Sequence, residues 1–341
     1  MTARQRRERV IARDIAEELG ISVSTVSRAF TEKAVIATET RSRVLAVAHR
    51  RGYRPDPLAR SLTTRRSRIA AIVVADITNP FYPEVLAQLI ERLQERELQT
   101  MLFSAGPGRN VDDSLPTLLH YHPDVTIVLA ATLSSAMVAA CRQAGTPVVL
   151  FNRYVPGSEA SAVCCDNHAG GRTVARALAA AGHRRLGYLA GQPDTSTNLD
   201  RLRGFAEACA ELGLPEPLVE EAGSYSYEAG YAAAKRLLRR DRPEAVFCAN
   251  DILALGALDA ARRDLGLQVP EQLSVVGFDD ISMAAWPSYS LTTIRQPVPA
   301  MIDRTMEQAE SLLRDPEVPA SLSLVPGTLV RRASARLGAT A

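Results

Sequence analysis

A chain of 341 residues with 46% apolar and 23% charged side chains can build two or three domains with a large core, and its ordinary composition excludes a fibrous or disordered protein. Its net charge of +2 conceals a division: residues 1–66 carry 15 Lys+Arg against 7 Asp+Glu, and the remainder carries 25 against 31. A basic segment on a mildly acidic body suits contact with a polyanion at the segment alone; a solvated helical surface is the other reading. No apolar run reaches the ~20 residues of a membrane span. The opening residues 1–10 lack the apolar stretch of a signal peptide, so a cytoplasmic location is expected. The cysteines Cys141, Cys164, Cys165, Cys209 and Cys248 are odd in number and lack C-x-x-C spacing, which predicts buried free thiols rather than a zinc site or a disulfide framework.

Residues 14–28 read Asp14-Ile-Ala-Glu-Glu-Leu-Gly-Ile-Ser-Val-Ser-Thr-Val-Ser-Arg28, a short helix, a tight turn at Gly20 and a second short helix. Ala16, Leu19, Ile21, Val26 and Ala29 supply apolar contacts. Ser22 stands where an N-cap belongs, so its hydroxyl can accept from the first free amides of the second helix. Val23, Ser24, Thr25, Ser27 and Arg28 are then crowded at an exposed helix start. A helix-turn-helix reads the major groove with such residues. A capped helix with no further role fits these fifteen positions equally well.

Residues 38–52 predict a third helix, with Val44, Leu45 and Ala48 at helical spacing and Gly52 as its stop. Arg41, Arg43, Arg50 and Arg51 are read as solvated. Residues 53–64 contain two prolines, and Pro57 suits the first turn of another helix. Residues 57–64 make barely two turns, too few to hold in water without a partner. Leu58 and Leu62 would share one face there.

From Arg68 the pattern changes. Apolar runs at 69–75, 101–103, 125–130, 148–151, 186–190, 245–249 and 273–278 alternate with amphipathic stretches at 82–95, 134–144, 170–181, 201–212, 226–239 and 251–265. Uninterrupted apolar strands between such helices predict parallel sheets covered on both faces, and a stretch this long predicts two α/β lobes. Polar residues follow the runs: the stretch from Asp76 to Pro80, Asn152-Arg153, Asn250-Asp251 and Asp279-Asp280. Singly, each is read as a helix cap. Together, at carboxyl ends of parallel strands, they suit a cleft for a small molecule with several hydroxyls.

The motifs at 14–28, Thr40-Arg41 to Leu62, Asp76-Ile-Thr-Asn-Pro-Phe81, Val246-Phe-Cys-Ala-Asn-Asp251, Val275-Val-Gly-Phe-Asp-Asp280 and Leu291-Thr-Thr-Ile-Arg-Gln-Pro297 occur in an order that resembles the LacI/GalR-type bacterial transcriptional regulators over residues 10–330. The resemblance implies a small all-α helix-turn-helix head plus an α/β core of two doubly wound parallel-sheet lobes, like periplasmic binding proteins. It implies a DNA-binding domain at 1–54, a hinge helix at 55–66 and an effector-binding and dimerisation domain at 67–341, with an N-lobe near 67–165 and 296–325 and a C-lobe near 166–295 and 326–341. Val23, Ser24 and Arg28 would face bases, and Ser22, Thr25 and Ser27 phosphates. Tyr53, Leu58, Ala59 and Leu62 would complete the DNA contact, with Leu62 wedged into a minor-groove step. Thr63 stands where some relatives carry a basic residue.

For the effector the resemblance implies Asp76, Phe81, Tyr82, Asn152, Arg153, Thr197, Arg201, Tyr225, Asn250, Asp279 and Gln296. Arg201 and Asp279 would bracket hydroxyls, and Phe81 or Tyr225 would stack on a ring face. A sugar, sugar acid or sugar phosphate fits. The expected partners are double-stranded operator DNA and a second copy of the chain, since operator half-sites need two heads; the expected function is a ligand-released repressor of a carbohydrate-utilisation operon. No cofactor, metal or membrane contact is expected. A solute-binding protein with the same core is the competing reading. An enzyme is disfavoured, because Gly106-Pro-Gly108 fits no phosphate-binding pattern, Asp279-Asp280 lacks a partner nucleophile, and His120, His122, His168 and His183 lack metal-ligand spacing.

Overall fold

The computed structural model describes residues 10–31, 34–54, 66–75, 77–104, 111–129 and 134–338. The expectations for Leu58, Ala59, Leu62, Thr63 and Asp76, the hinge helix and the Gly106-Pro-Gly108 stretch lie outside the described residues. The chain divides at Ser67/Arg68 into two compact units. Among the described residues no helix is long and apolar enough to cross a membrane.

The first unit is a three-helix bundle: α1 (Ala12–Leu19), α2 (Val23–Ala29) and α3 (Thr38–Arg51). Asp14 accepts from the Ile11 amide at 2.8 Å and so closes the first turn of α1. Gly20 ends α1 at φ +63°, a left-handed conformation that costs glycine nothing. The core is Ile15, Ala16, Val26, Ala29, Val44, Val47 and Ala48. Leu45, expected among these contacts, is 41% exposed. The buried stripe of α3 runs 44, 47, 48, and a residue next to Val44 lies about 100° around the helix from it.

Ser22 caps α2 by accepting from the Thr25 amide at 3.1 Å. Ser22→Ala is expected to cost about 1 kcal/mol locally, roughly a fivefold loss of hydrogen-exchange protection at the α2 amides. Unchanged protection would mean that water replaces the cap without loss.

The second unit holds two six-stranded sheets. Strands β1 (Ile69–Val74), β2 (Gln99–Ser104), β3 (Val125–Leu129), β4 (Val148–Phe151) and β5 (Ser161–Cys165) alternate with α4 (Phe81–Glu95), α5 (Leu115–His120) and α6 (Ser135–Gln143). The chain then enters the other lobe with α7 (Asn167–Ala180), β6 (Leu186–Ala190), α8 (Ser196–Glu211), β7 (Leu218–Glu221), α9 (Tyr227–Arg240), β8 (Ala245–Cys248), α10 (Asp251–Asp259), β9 (Ser274–Asp279) and β10 (Thr292–Arg295). It returns for α11 (Val298–Arg314) and β11 (Leu322–Val325), and ends with β12 (Thr328–Val330).

The sheet orders are β11-β5-β4-β3-β1-β2 and β12-β10-β9-β8-β6-β7, parallel except for the antiparallel β12. Residues of β3, β4, β5, β6, β8 and β9 are all buried, because helices cover both faces, and this is why these strands need apolar or small side chains without alternation. All five cysteines are free and buried.

Three segments join the lobes: β5 to α7, β10 to α11 and β11 to β12. They pass close together at Gly327. A Cβ there would lie 2.7 Å from Ile294, 3.1 Å from the Arg295 carbonyl and 3.1 Å from Cys165 Sγ, so only glycine fits between the other two crossings.

Candidate functional site

Two surfaces gather the polar residues. On α2, Val26 and Ala29 turn inward, which leaves Ser22, Val23, Ser24, Ser27 and Arg28 exposed and Thr25 half-buried. The Ser22 hydroxyl lies 2.7 Å from that of Ser24 and 2.8 Å from that of Thr25. Arg28 makes no hydrogen bond or ion pair among the described residues, so a five-donor guanidinium is presented to solvent, and on the same helix the apolar Val23 is 45% exposed. Tyr53 packs edge-on against Phe30 with ring centroids 5.6 Å apart.

The arginines read as solvated divide. Arg41 donates to the carbonyls of Ala29, Thr31 and Ala34, each at 3.0 Å, and so satisfies the end of α2 and the loop after it. Arg50 and Arg51 pair with Glu18, and Arg43 stays exposed.

The other surface is the cleft between the lobes. Asn79, Tyr82, Asn152 and Arg153 come from the first lobe, and Thr197, Arg201, Tyr225, Asn250 and Asp279 from the second. Eight of the eleven expected effector residues line it. Phe81 is 3% exposed, packs edge-on at 5.3 Å against Tyr82, and faces a separate hollow with Glu84, Gln88 and Arg295 rather than the cleft. Gln296 reaches the site through Asp279, donating to its carboxylate at 2.7 Å. Asn79 was not singled out by sequence, although it stands in the polar run from Asp76 to Pro80; it also accepts from the Phe81 amide at 3.2 Å.

Arg201 is the centre of the cleft and is 2% exposed. It donates to Asn167 Oδ1 at 2.8 Å, to the Ala249 carbonyl at 2.5 Å and to Asp279 at 3.4 Å, with its guanidinium 3.6 Å from the centre of the Phe278 ring. Burial pushes the Asp279 carboxyl up to about 6, against the pull of Arg201 and the Gln296 amide. Behind it, Asp251 is fully buried, accepting from the Ile281 amide at 2.9 Å and the Thr293 hydroxyl at 2.5 Å. Burial, reinforced by Asp279, pushes its carboxyl up to about 8.

Asn250 does cap α10, accepting from the Leu253 amide at 3.1 Å, and lines the cleft as well. Asn152 stands at φ +70°, Asp279 at +122° and Asp280 at +59°, left-handed conformations held at the carboxyl ends of β4 and β9. Such strain persists where the surrounding fold enforces it, commonly at ligand sites. The Asn152 amide donates to the Tyr82 hydroxyl at 3.1 Å, while its Oδ1 is buried with no hydrogen-bond partner among the described residues; the same holds for Gln296 Oε1. The Tyr225 hydroxyl lies 2.9 Å from that of Thr195 and 3.3 Å from that of Thr197, and the Arg153 guanidinium lies 5.5 Å over its ring.

The lobes are closed on each other. About 10 Å³ remains among the cleft side chains, the room of one water. Across the opening, the Tyr154 amide donates to Ser196 at 3.1 Å, the Tyr154 hydroxyl to Asp200 at 2.9 Å, and the Ser282 amide to Glu84 at 3.0 Å.

A helix-turn-helix unit joined to a two-lobed binding core defines a class, the helix-turn-helix transcriptional regulators built on a periplasmic-binding-protein-like core. The family model of the lacI-type bacterial regulatory proteins matches residues 12–56, and that of the periplasmic binding protein-like domain residues 175–335. The HTH-type transcriptional regulator GalS of Salmonella typhimurium is 32% identical over 95% of this chain and 96% of its own length. The protein belongs to the lacI family of bacterial transcriptional regulators. A lac repressor dimer bound to operator and the anti-inducer ONPF has the same fold, with a TM-score of 0.86, 23% identity, and 96% and 99% of the two chains covered. The complex of the regulator CelR with cellobiose superimposes with a TM-score of 0.71 at 28% identity, over 96% of this chain and 100% of that one.

Proposed function

We propose that this regulator is a cytoplasmic, non-catalytic repressor of a carbohydrate-utilisation operon, that it binds double-stranded operator DNA as a homodimer, and that a neutral sugar in the cleft releases it. Residues 1–54 are assigned to the DNA-binding head, 55–66 to the hinge and 67–341 to the effector-binding and dimerisation core. The operator in the lac repressor complex and the cellobiose in the CelR complex support both ligand classes.

One observation carries the reading of a hydroxyl-bearing effector: Asn152 Oδ1, in the cleft lining, is buried with no hydrogen-bond partner among the described residues. An orphaned buried acceptor costs about 1–3 kcal/mol until a donor reaches it. Sugar hydroxyls donate to such an acceptor, in sugar acids and sugar phosphates as well as in neutral sugars, so the preference for a neutral sugar rests on Arg201. The charge of Arg201 is already met by Asp279, and its other donors by Ala249 and Asn167, which leaves that guanidinium little to offer an anion.

The test is binding of the intact protein to its own upstream region at several salt concentrations, against panels of neutral sugars, sugar acids and sugar phosphates. Specific binding that weakens steeply with salt and is relieved by a neutral sugar is expected. Failure to bind any site specifically would overturn the regulator reading, and relief by anionic ligands alone would overturn the neutral class. On the head, Arg28→Ala should weaken operator binding about 5- to 150-fold, the ~1–3 kcal/mol of a bidentate base contact, with non-specific binding nearly unchanged. Equal loss on both kinds of DNA would place Arg28 on a phosphate.

A further inference from the structure

An unassigned hollow lies at the far end of the first lobe's sheet. It encloses about 370 Å³, within the range of small-molecule pockets, where the cleft holds about 10 Å³. It is built at the amino ends of β4, β5 and β11, between the last turns of α6 and α11. Its lining is mixed: Val138, Val148, Leu312, Pro316, Val318 and Pro319 give it an apolar side, and polar and charged groups make up much of the rest.

Polar groups in its depth are already satisfied: the Thr146 hydroxyl donates to the Pro123 carbonyl at 3.2 Å, and the Ser161 hydroxyl accepts from the Ser321 amide at 3.2 Å. At the rim, Arg142 sits between Glu159 at 3.2 Å and Glu317 at 3.3 Å. Two carboxylates against one guanidinium leave the rim net negative, so an anion would meet repulsion and a cation attraction. The apolar side takes a hydrocarbon frame; the mouth takes a positive charge.

We propose that this hollow is a second ligand site, for an organic amine carried on an aromatic or branched aliphatic frame. The site is placed to communicate with the cleft. β4 runs from Val148 in the hollow to Phe151, directly before Asn152, and α11 starts two residues after Gln296 and ends at the hollow with Leu312. A strand and a helix thus each connect the two ends of the lobe without a loop between.

Calorimetry or ligand-detected NMR on the full chain tests this with tryptamine, 2-phenylethylamine and cyclohexylmethylamine. At least one is expected to bind once per chain. The double substitution Glu159→Gln, Glu317→Gln should weaken that amine at least fivefold, and its carboxylate counterpart (indole-3-acetate for tryptamine) should bind at least fivefold more weakly than the amine. Ala320→Trp, placed in the lining of the hollow, should abolish binding. If the Trp variant fails to fold, the surface pair of glutamates decides. Failure of all three amines at millimolar concentration or indifference to the glutamates would each overturn the assignment. None of these readouts involves DNA or a sugar, so failure of the regulator reading is distinguishable.

Discussion

Arg201→Met is expected to destabilise the two-lobed unit by about 3–5 kcal/mol, the usual consequence of removing one partner of a buried ion pair. The methionine approximates the length of the lost side chain, so the loss is chemical rather than a cavity. Asp279 would keep its buried position with the Gln296 amide and the more distant charge of Arg153, and the Ala249 carbonyl and Asn167 Oδ1 would each lose a donor. Urea denaturation followed by tryptophan fluorescence measures it. Arg201→Lys should recover part of the loss, since an ammonium restores charge but cannot fork to three acceptors.

Losing the pull of Arg201 should raise the Asp279 carboxyl above its value of about 6, so the penalty should shrink as pH falls toward 6, where that carboxyl is protonated in the variant and needs no counter-charge. A loss under 1 kcal/mol at pH 7.5 would show that the lobes relax to let water reach Asp279.

Asp251 gives the second large effect, and it is one of pH. Its folded-state value near 8 stands above the ~3.9 of an exposed aspartate, so between about pH 4 and 8 the folded chain holds a proton that the unfolded chain has released. Stability contributed by this group is therefore fully present at low pH and falls as pH rises through that window, with a slope approaching ~1.4 kcal/mol per pH unit.

Asp251→Asn mimics the protonated acid. The asparagine oxygen can accept from the Ile281 amide where Oδ2 does now, and its NH2 can donate to the Thr293 hydroxyl. The substitution should be tolerated at pH 5 and stabilising at pH 8, flattening the profile. Denaturant midpoints of both proteins at several pH values check this. Parallel profiles would mean that Asp251 stays ionised when folded.

Much of this arrangement is legible in the sequence, and the illegible parts have physical reasons. The apolar runs mark β1, β2, β3, β4, β6, β8 and β9, most of them because strands buried on both faces cannot be polar. β7 and β12 did not stand out, since four residues reading Leu-Val-Glu-Glu and three reading Thr-Leu-Val sit at sheet edges, where burial relaxes. α11 was hidden by Pro297 and Pro299, which look like a break and in fact form a helix start.

In the cleft, polar residues after the strands could be picked out, because carboxyl ends converge there. Their division of labour could not. The Arg201 partners lie 34, 48 and 78 residues away in sequence, and no local pattern distinguishes a group that waits for a ligand from one already bonded across the fold. Arg41 shows the same limit within the head: its target carbonyls belong to the end of another helix and the loop after it.

The near-absence of free volume between the lobes bears on speed rather than affinity. With about 10 Å³ among the cleft side chains, no sugar can enter the closed arrangement, and the contacts from Tyr154 to Ser196 and Asp200 must part first. Effector association would then be gated. At low concentration its rate rises with each added molecule; at high concentration it levels off at the rate of lobe opening. The time a cell takes to answer a sudden supply of effector would have a floor set by those few hydrogen bonds, however abundant the effector becomes.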